Sequence, residues 1–328
     1  MKNYKVLVTP RSFRRTPGRH WERLREVGLE VLESPLDRPL REEELLNLVK
    51  DVDAMIVGLD KVTRRVIEEA KALRIIAKYG VGLDNIDLEA AAERGIVVTY
   101  TPGANAPAVA ELSWGLILAL ARHIVFHHLR LKSGSLERRT GWELSGKTLG
   151  IIGLGRIGRE VAKRARAFGM KVLAYDPYLK PEEAEEFGAE LGPLERVLSE
   201  SEIVSLHCPL TPETEGMIGS EELELMKEGA LLINTARKGL VDEAALYKAL
   251  KEGKLGGAAF DTFEDEADLE SPLLELENFL GSPHSGAATY ESILRMADLA
   301  AEEVIRVLGG QPPLQPVTIP ARKLSSGT

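Results

Sequence analysis

Short apolar runs alternate with charged, amphipathic segments along the N-terminal part of the chain. The apolar runs predict strands at residues 6–8, 29–32, 54–57, 74–77 and 96–99. The amphipathic segments between them predict helices at residues 41–50, 63–72 and 87–94. Because this alternation is typical of a parallel sheet with helices on both faces, we predict a doubly wound α/β domain.

A second alternating block follows a polar connection. Its apolar runs predict five more strands, at residues 149–152, 171–175, 203–206, 230–233 and 257–260. Two such blocks predict two Rossmann-like α/β domains, each built on a parallel sheet. A chain of 328 residues is also longer than one hydrophobic core usually supports.

A long apolar helix is predicted between the two blocks. Asn105 is a good N-cap, and residues 106–131 are apolar on more than one face. We expect this helix to be buried as an interdomain spine, as a homodimer contact, or as both. His123, His127 and His128 lie on it without a carboxylate or cysteine at ligand spacing, so we expect no metal site.

Charge and cysteine content narrow the class of protein. With 42 basic and 51 acidic side chains, the net charge of −9 argues against a general nucleic-acid binder. An arginine-rich run at residues 11–25 is expected to be a solvated face, and the alternative is a surface at the edge of the site that attracts an anionic substrate.

The single cysteine, Cys208, excludes an intrachain disulfide and fits a reducing compartment. No signal-peptide pattern opens the chain, and the apolar block at residues 114–121 is too short to span a bilayer, so we expect a cytoplasmic protein without a membrane partner.

The motif G-x-G-x-x-G directly follows a predicted strand and opens a helix. Gly153 permits the tight turn, Gly155 lets the backbone approach a pyrophosphate, and Gly158 lets helix and strand pack closely. Asp176 ends the next predicted strand, 18 positions after Gly158. Its carboxylate is placed to bind an adenosine ribose and to repel a 2'-phosphate, which favours NAD over NADP.

Polar residues recur where the later strands end. Arg237 follows one strand, Asp261 and Glu266 follow the next, and His284 comes shortly afterwards. Ligands of open α/β sheets bind beyond the carboxyl ends of the strands. These four residues are therefore predicted to share an edge with the glycine loop.

At these positions the chain resembles the NAD-dependent D-isomer-specific 2-hydroxyacid dehydrogenases. The resemblance rests on residues 80–87, 101–103, 153–158, 207–214, 234–237, 261–266 and 283–284. It implies a discontinuous substrate domain, residues 1–99 and 290–328, with an NAD-binding domain at 100–289 and the active site in the cleft between them. It also implies hydride transfer between NAD(H) and C2 of a small 2-hydroxy or 2-keto acid.

The resemblance assigns three catalytic residues. Arg237 holds the substrate carboxylate and 2-oxygen, for which a planar, charged, two-pronged donor is suited. His284 exchanges a proton with the 2-oxygen, and imidazole titrates near the working pH. Glu266 pairs with His284 and favours the imidazolium form.

The remaining implied contacts concern cofactor and substrate. Backbone donors at Val81 and Gly82 are expected to bind the substrate carboxylate. The cofactor contacts, beyond the three glycines, Asp176 and His284, are expected at Arg156, Ile157, Cys208, Pro209, Thr235, Ala236, Asp261 and Gly286.

Departures from the family pattern bear on the substrate. Gly58-Leu59-Asp60 stands where phosphoglycerate-specific relatives begin with an arginine that meets the phosphate, so a dianionic phosphate should be disfavoured. Lys78 or the arginine cluster at residues 14–25 is the alternative source of positive charge for a phosphate. We therefore predict a glyoxylate-type or hydroxypyruvate-type substrate first and 3-phosphoglycerate second. Ser285 and Lys238 are expected to alter polarity near the active site.

Two alternatives from other functional classes stay open. A NAD-sensing binding protein of the corepressor type does not require the Arg237, Glu266 and His284 set, which argues against it. A phosphite-type dehydrogenase is harder to distinguish by sequence.

Overall fold

The computed structural model describes residues 4–263 and 267–318. By contact density the chain divides into two compact units. Residues up to Asn105 and from Ala288 onward form the first unit, and Ala106–Ala287 forms the second. Glu266 lies outside the described residues.

The first unit is built on a five-stranded sheet in the order β2-β1-β3-β4-β5. Its strands are β1 (Lys5–Val8), β2 (Glu30–Glu33), β3 (Ala54–Val57), β4 (Ile75–Lys78) and β5 (Val97–Thr99), and every pairing is parallel. Its helices are α1 (Arg11–Arg15), α2 (Arg19–Glu26), α3 (Glu42–Leu48), α4 (Arg64–Glu69), α5 (Leu88–Glu93) and α13 (Tyr290–Leu308). The last of these returns the chain to this unit and packs against α2, β3 and β4.

The second unit carries a seven-stranded sheet in the order β12-β11-β10-β9-β6-β7-β8. Its strands are β6 (Thr148–Ile152), β7 (Lys171–Tyr175), β8 (Glu190–Leu191), β9 (Ile203–Leu206), β10 (Ala230–Asn234), β11 (Leu255–Phe260) and β12 (Phe279–Gly281). Its α-helices are α6 (Ala106–Ala121), α7 (Ile124–Lys132), α8 (Arg156–Ala167), α9 (Pro181–Glu185), α10 (Leu194–Glu200), α11 (Ser220–Leu225) and α12 (Glu243–Lys251). Short 3₁₀ helices lie at Lys238–Leu240, Ala267–Glu270 and Pro272–Glu275.

These two sheets confirm the predicted class of two parallel-sheet α/β domains. All ten predicted strands are present, and their side chains are largely buried except in the edge strand β2, whose residues are partly or fully exposed. Sequence reasoning missed β8 and β12. These edge strands have two and three residues, which is too short to show a periodicity.

The prediction of one continuous helix at residues 106–131 is wrong. The chain bends by 63° between α6 and α7, and His123 at the bend has a left-handed backbone with φ 50°. The carbonyl of Ala121 ends α6 by accepting a hydrogen bond from Trp142 N at 3.1 Å. The break is therefore stabilised by a segment about twenty residues further along the chain, which local periodicity cannot reveal.

The apolar character of α6 is explained inside its own unit. Ten of its sixteen residues are buried, and the helix packs against α8, β10 and β11. Helix α7 has no fully buried residue. Over residues 4–263 and 267–318, no single helix is long and apolar enough to cross a membrane, although the bent α6–α7 pair meets both criteria jointly.

Candidate active site

The glycine loop connects β6 to α8, and its three glycines have different surroundings. Gly153 has φ 92°, and a Cβ there would lie 2.6 Å from Cys208 N. A Cβ on Gly158 would overlap the carbonyl oxygen of Gly153. Nothing lies within 4 Å of the Cβ position of Gly155. The first and third positions therefore exclude a side chain on steric grounds, whereas the second leaves open space.

Helix α8 begins beside that open space. Gly155 is its N-cap and makes no side-chain capping bond, and Arg156 is exposed. The first backbone N–H groups of a helix have no intrahelical acceptor and carry a partial positive charge. An uncapped N-terminus next to an open glycine fits the pyrophosphate of a dinucleotide.

A Gly158→Ala substitution is expected to destabilise the fold. Because its Cβ would collide with backbone rather than with a movable side chain, we expect the free energy of unfolding to fall by about 1–3 kcal/mol. Thermal or chemical denaturation measures the change. Gly155→Ala is the matched control: Gly155 has φ −74° and free space, so the free energy of unfolding should fall by less than in Gly158→Ala, and only because alanine is a poorer N-cap than glycine. Equal stability of the two variants would contradict the packing role of Gly158.

Asp176 follows β7 and contacts the glycine loop directly. Its carboxylate accepts hydrogen bonds from Leu154 N at 2.9 Å and from Tyr178 N at 3.0 Å. Sequence reasoning predicted only a ribose contact for this residue. An ionised carboxylate offers about four acceptor positions, so the two backbone bonds leave capacity for ribose hydroxyls.

The loop after β9 contains Cys208 and Pro209. Burial, together with the nearby charge of Asp176, raises the pKa of the Cys208 thiol to about 11. Its Sγ lies 3.7 Å from Met217 Sδ. A thiol that stays protonated at neutral pH is a poor nucleophile, so Cys208 is suited to line a cleft rather than to react.

His207 precedes this loop and is held in its neutral form. Its Nε2 lies 2.9 Å from Ser205 Oγ, and its Nδ1 is buried without a hydrogen-bond partner among the described residues. Burial lowers the pKa of His207 to about 3. An imidazole with this pKa cannot supply protons near neutrality.

Stability is expected to fall as the pH drops below the ordinary histidine range. Between its native pKa of about 3 and an unfolded pKa of about 6.5, His207 binds a proton in the unfolded chain only. Stability is therefore fully present above that range and is lost progressively towards pH 3. Burial lowers the pKa of His20 and His123 in the same direction. Urea unfolding of wild type and His207→Gln at several pH values tests this, and an equally steep loss in the variant would contradict the role of His207.

The loop after β10 holds Arg237. The fully buried Asn234 accepts a hydrogen bond from Ala236 N at 3.0 Å and donates one to Arg237 O at 2.8 Å. The Arg237 guanidinium donates to Ala236 O at 2.8 Å, and Thr235 Oγ1 lies 2.9 Å from Ser113 Oγ. Sequence reasoning included Asn234 in a motif without giving it a role, and it missed Ser113. An amide in a buried strand, where asparagine is disfavoured, was the available signal for Asn234.

Asp261 follows β11 and contacts the loop that contains His284. Its carboxylate is buried and accepts hydrogen bonds from Ser282 Oγ at 2.6 Å, Ser285 N at 2.7 Å and Gly286 N at 2.6 Å. Ser285 Oγ donates to the same carboxylate at 3.2 Å. A Cβ on Gly286 would lie 2.9 Å from Asp261 Oδ2, so this side of Gly286 is filled by protein.

The carboxyl ends of one parallel sheet bring most of the predicted residues together. The glycine loop, Cys208, Arg237, Asp261 and His284 follow β6, β9, β10, β11 and β12, which are neighbours in the sheet. Because parallel strands end on the same side, these residues line one edge. Glu266 lies outside residues 4–263 and 267–318, so its pairing with His284 stays a prediction. Among the described residues, no group of His, Cys, Asp and Glu could hold a metal ion.

The first unit places Val81 and Gly82 after β4, where both are partly exposed. The turn before them is tied down by Thr101, whose Oγ1 accepts from Gly80 N at 3.0 Å. Lys78 is buried beneath this turn and donates to Gly58 O at 2.5 Å and to Asn85 Oδ1 at 2.6 Å. This loop is thus rigidly supported inside its own unit.

The charged residues that bear on phosphate binding form hydrogen bonds or ion pairs with other residues of the protein. Asp60 is buried and accepts from Leu40 N at 2.7 Å, Gly58 N at 3.0 Å and the Thr9 hydroxyl. Arg14 and Arg15 both pair with Asp37, and Lys238 pairs with Asp268 at 2.7 Å and Glu243 at 3.1 Å. Asp60 therefore fixes a loop, and two arginines of the arginine-rich run already pair with an acidic side chain of the protein.

Comparison with known families and proteins gives a consistent result. A family described as "D-isomer specific 2-hydroxyacid dehydrogenase, NAD binding domain" matches residues 114–286. A D-3-phosphoglycerate dehydrogenase of Methanocaldococcus jannaschii is 48% identical over 292 residues, which cover 88% of this chain and 55% of that protein. A glyoxylate reductase of Thermococcus litoralis is 48% identical over 279 residues, which cover 82% of this chain and 84% of that protein. The chain thus spans about half of the first relative and most of the second.

Solved structures resemble the whole fold. The TT0316 protein of Thermus thermophilus superposes with a TM-score of 0.86 at 42% identity, covering 96% of this chain and 100% of that one. A D-lactate dehydrogenase of Aquifex aeolicus, solved with NAD and lactic acid, has a TM-score of 0.83 at 34% identity, with coverage of 96% and 100%.

Proposed function

Because the chain belongs to the family of D-isomer-specific 2-hydroxyacid dehydrogenases, we propose that it transfers a hydride between NAD(H) and C2 of a small 2-keto or 2-hydroxy acid. One observation carries the proposal. The open, uncapped glycine loop and the loops of Arg237 and His284 lie along one edge of the same parallel sheet. This arrangement supports a joint role for a helix N-terminus that can bind an anion, the guanidinium of Arg237 and the imidazole of His284.

The side chains have separate tasks in this reaction. A bound nicotinamide supplies or accepts the hydride. Arg237 binds the substrate carboxylate and polarises the 2-oxygen, since a guanidinium presents paired donors to an oxyanion. His284 donates a proton to that oxygen during reduction and removes it during oxidation. Glu266 is assigned as the carboxylate that favours imidazolium, and the backbone at Val81 and Gly82 as a carboxylate-binding element of the first unit.

We assign the preference for NAD over NADP to Asp176. Its carboxylate is fixed by Leu154 N and Tyr178 N at the end of β7. A fixed negative charge there attracts ribose hydroxyls and repels a 2'-phosphate. The predicted contacts of Arg156, Ile157, Pro209 and Ala236 with the cofactor belong to the same proposal.

We propose an unphosphorylated substrate of the glyoxylate or hydroxypyruvate type. The Asp60 carboxylate is buried and accepts a hydrogen bond from Leu40 N. Its negative charge is therefore a weaker argument against a phosphorylated substrate than the sequence suggested. The main support is Gly58, which leaves that position without a guanidinium, and the internal use of Lys78.

A substrate panel tests these assignments. The purified protein is assayed with glyoxylate, hydroxypyruvate and phosphohydroxypyruvate, each with NADH and NADPH, and with phosphite and NAD in the oxidation direction. We expect the highest kcat/KM with an unphosphorylated keto acid and NADH. Turnover of the phosphorylated acid alone would overturn the substrate assignment. Cofactor binding without turnover of any compound would instead support the corepressor-type alternative.

Assembly and location are further proposals. Exposed apolar side chains cluster on and after α7, at Ile124, Val125, Leu129, Leu131 and Leu136, and such a cluster favours a homodimer contact. Light scattering should show a dimer for wild type and a monomer for Leu129→Glu, with Leu225→Glu, on exposed α11, as control. A wild-type monomer would refute the dimer.

The single free thiol supports a cytoplasmic location, which cell fractionation tests.

A further inference from the structure

We propose that Ser282 is a positioning residue for His284. Its hydroxyl orients the Asp261 carboxylate, and that carboxylate holds the backbone of the His284 loop in a left-handed conformation. The inference rests on the proposed function, because it assigns a task to a residue that does not itself touch the reacting atoms.

The backbone of His284 needs external support. Its φ is 45°, and His123 is the other non-glycine residue with positive φ in the described part of the chain. A left-handed backbone is unfavourable for an L-residue, and such residues persist only where the surrounding structure imposes them. The bond from His284 N to Ser282 O, 3.0 Å, is one local constraint.

Asp261 supplies support from both sides of the histidine. Its Oδ1 accepts from Ser285 N and its Oδ2 from Gly286 N, which fixes the two residues after His284. The same Oδ1 accepts from Ser282 Oγ, two residues before His284. The carboxylate therefore binds residues both before and after His284 in the chain.

Strand pairing explains why Ser282 reaches Asp261. Phe260 of β11 lies opposite Gly281 of β12, so the next residue of each strand lies beside the other. Ser282 N also donates to Phe260 O at 2.9 Å. The sheet thus fixes the backbone of Ser282. Because this residue is already ordered, its hydroxyl can orient the Asp261 carboxylate.

The two serines are not equivalent. Oδ1 receives three donors, Ser282 Oγ at 2.6 Å, Ser285 N at 2.7 Å and Ser285 Oγ at 3.2 Å. A carboxylate oxygen has two lone pairs, so the longest of the three bonds contributes least. Removing the Ser285 hydroxyl would still leave its amide bond. Removing the Ser282 hydroxyl deletes the bond that, among residues 4–263 and 267–318, reaches Oδ1 from the segment before His284.

The decisive experiment compares Ser282→Ala, Ser282→Thr and Ser285→Ala in the NADH-dependent reduction of the best keto acid. We expect Ser282→Ala to lower kcat by about tenfold, with KM, NADH affinity and melting temperature close to wild type. Ser282→Thr keeps the hydroxyl and should restore most of kcat. Ser285→Ala should lose less than Ser282→Ala. Ser199→Ala, which removes an exposed hydroxyl from α10, is the control.

Two results would overturn the positioning role. One is a wild-type kcat in Ser282→Ala. The other is a parallel loss of kcat, NADH affinity and melting temperature that Ser282→Thr does not restore, which would indicate general damage to the fold. Both differ from failure of the proposed function, in which wild type itself reduces no 2-keto acid with NADH.

Discussion

His284→Ala should lower kcat for the best keto acid by about a thousandfold, because general acid catalysis by a placed side chain contributes about 10²–10⁴. The affinity for NADH should stay nearly unchanged, since the glycine loop, α8 and Asp176 are separate from the His284 loop in the chain. Alanine tolerates a left-handed backbone no better than histidine does. The substitution therefore removes the imidazole without reducing the backbone strain at this position.

Steady-state assays and fluorescence titration of NADH measure the two effects. His128→Ala, which removes an exposed imidazole from α7, is the control and should keep wild-type kcat. A near wild-type kcat in His284→Ala would refute the assigned proton donor. A large loss of NADH affinity in the same variant would show that His284 acts chiefly in cofactor binding.

Arg237→Lys should lower kcat/KM by about a hundredfold, because about 2–3 kcal/mol is lost when a paired, charged donor to a carboxylate is replaced by a point charge. The loss should lie mainly in KM for the keto acid. A lysine also cannot reproduce the planar guanidinium that donates to Ala236 O at 2.8 Å, so the position of the charge would change as well.

The measurement is a comparison of KM for the keto acid with the dissociation constant for NADH. Arg138→Lys alters an exposed arginine of the same unit and should change neither. An unchanged KM in Arg237→Lys would refute carboxylate binding by Arg237. A raised dissociation constant for NADH alone would assign Arg237 to the cofactor instead.

The strands were predictable because burial on both faces of a parallel sheet leaves a local signature. The four residues of β3 and the first four of β10, residues 230–233, are all buried, and both stretches appear in the sequence as continuous apolar runs. The break between α6 and α7 left no such signature. It depends on Trp142 reaching Ala121 O, a contact that the apolar pattern of the helix does not encode.

The candidate site likewise contains features that the sequence predicted and contacts that it did not. The glycine spacing predicted a turn followed by a helix N-terminus, because those features depend on neighbouring residues. The contact of Asp176 with Leu154 N, the inward orientation of Asp60 and the internal bonds of Lys78 were not predicted. Each joins residues from separate segments of the chain, so it requires the sheet to be assembled first.

By itself, the sequence determined the fold class, the family, the glycine loop and the candidate residues of the reaction, since these follow from local pattern and residue chemistry. Only the tertiary structure decided how the His284 loop is held. Asp261 and Ser282 are distant in the chain and become neighbours through the pairing of β11 with β12. Because β12 has only three residues, no periodicity revealed it, and the bond between these two side chains could not be inferred before the strands were paired.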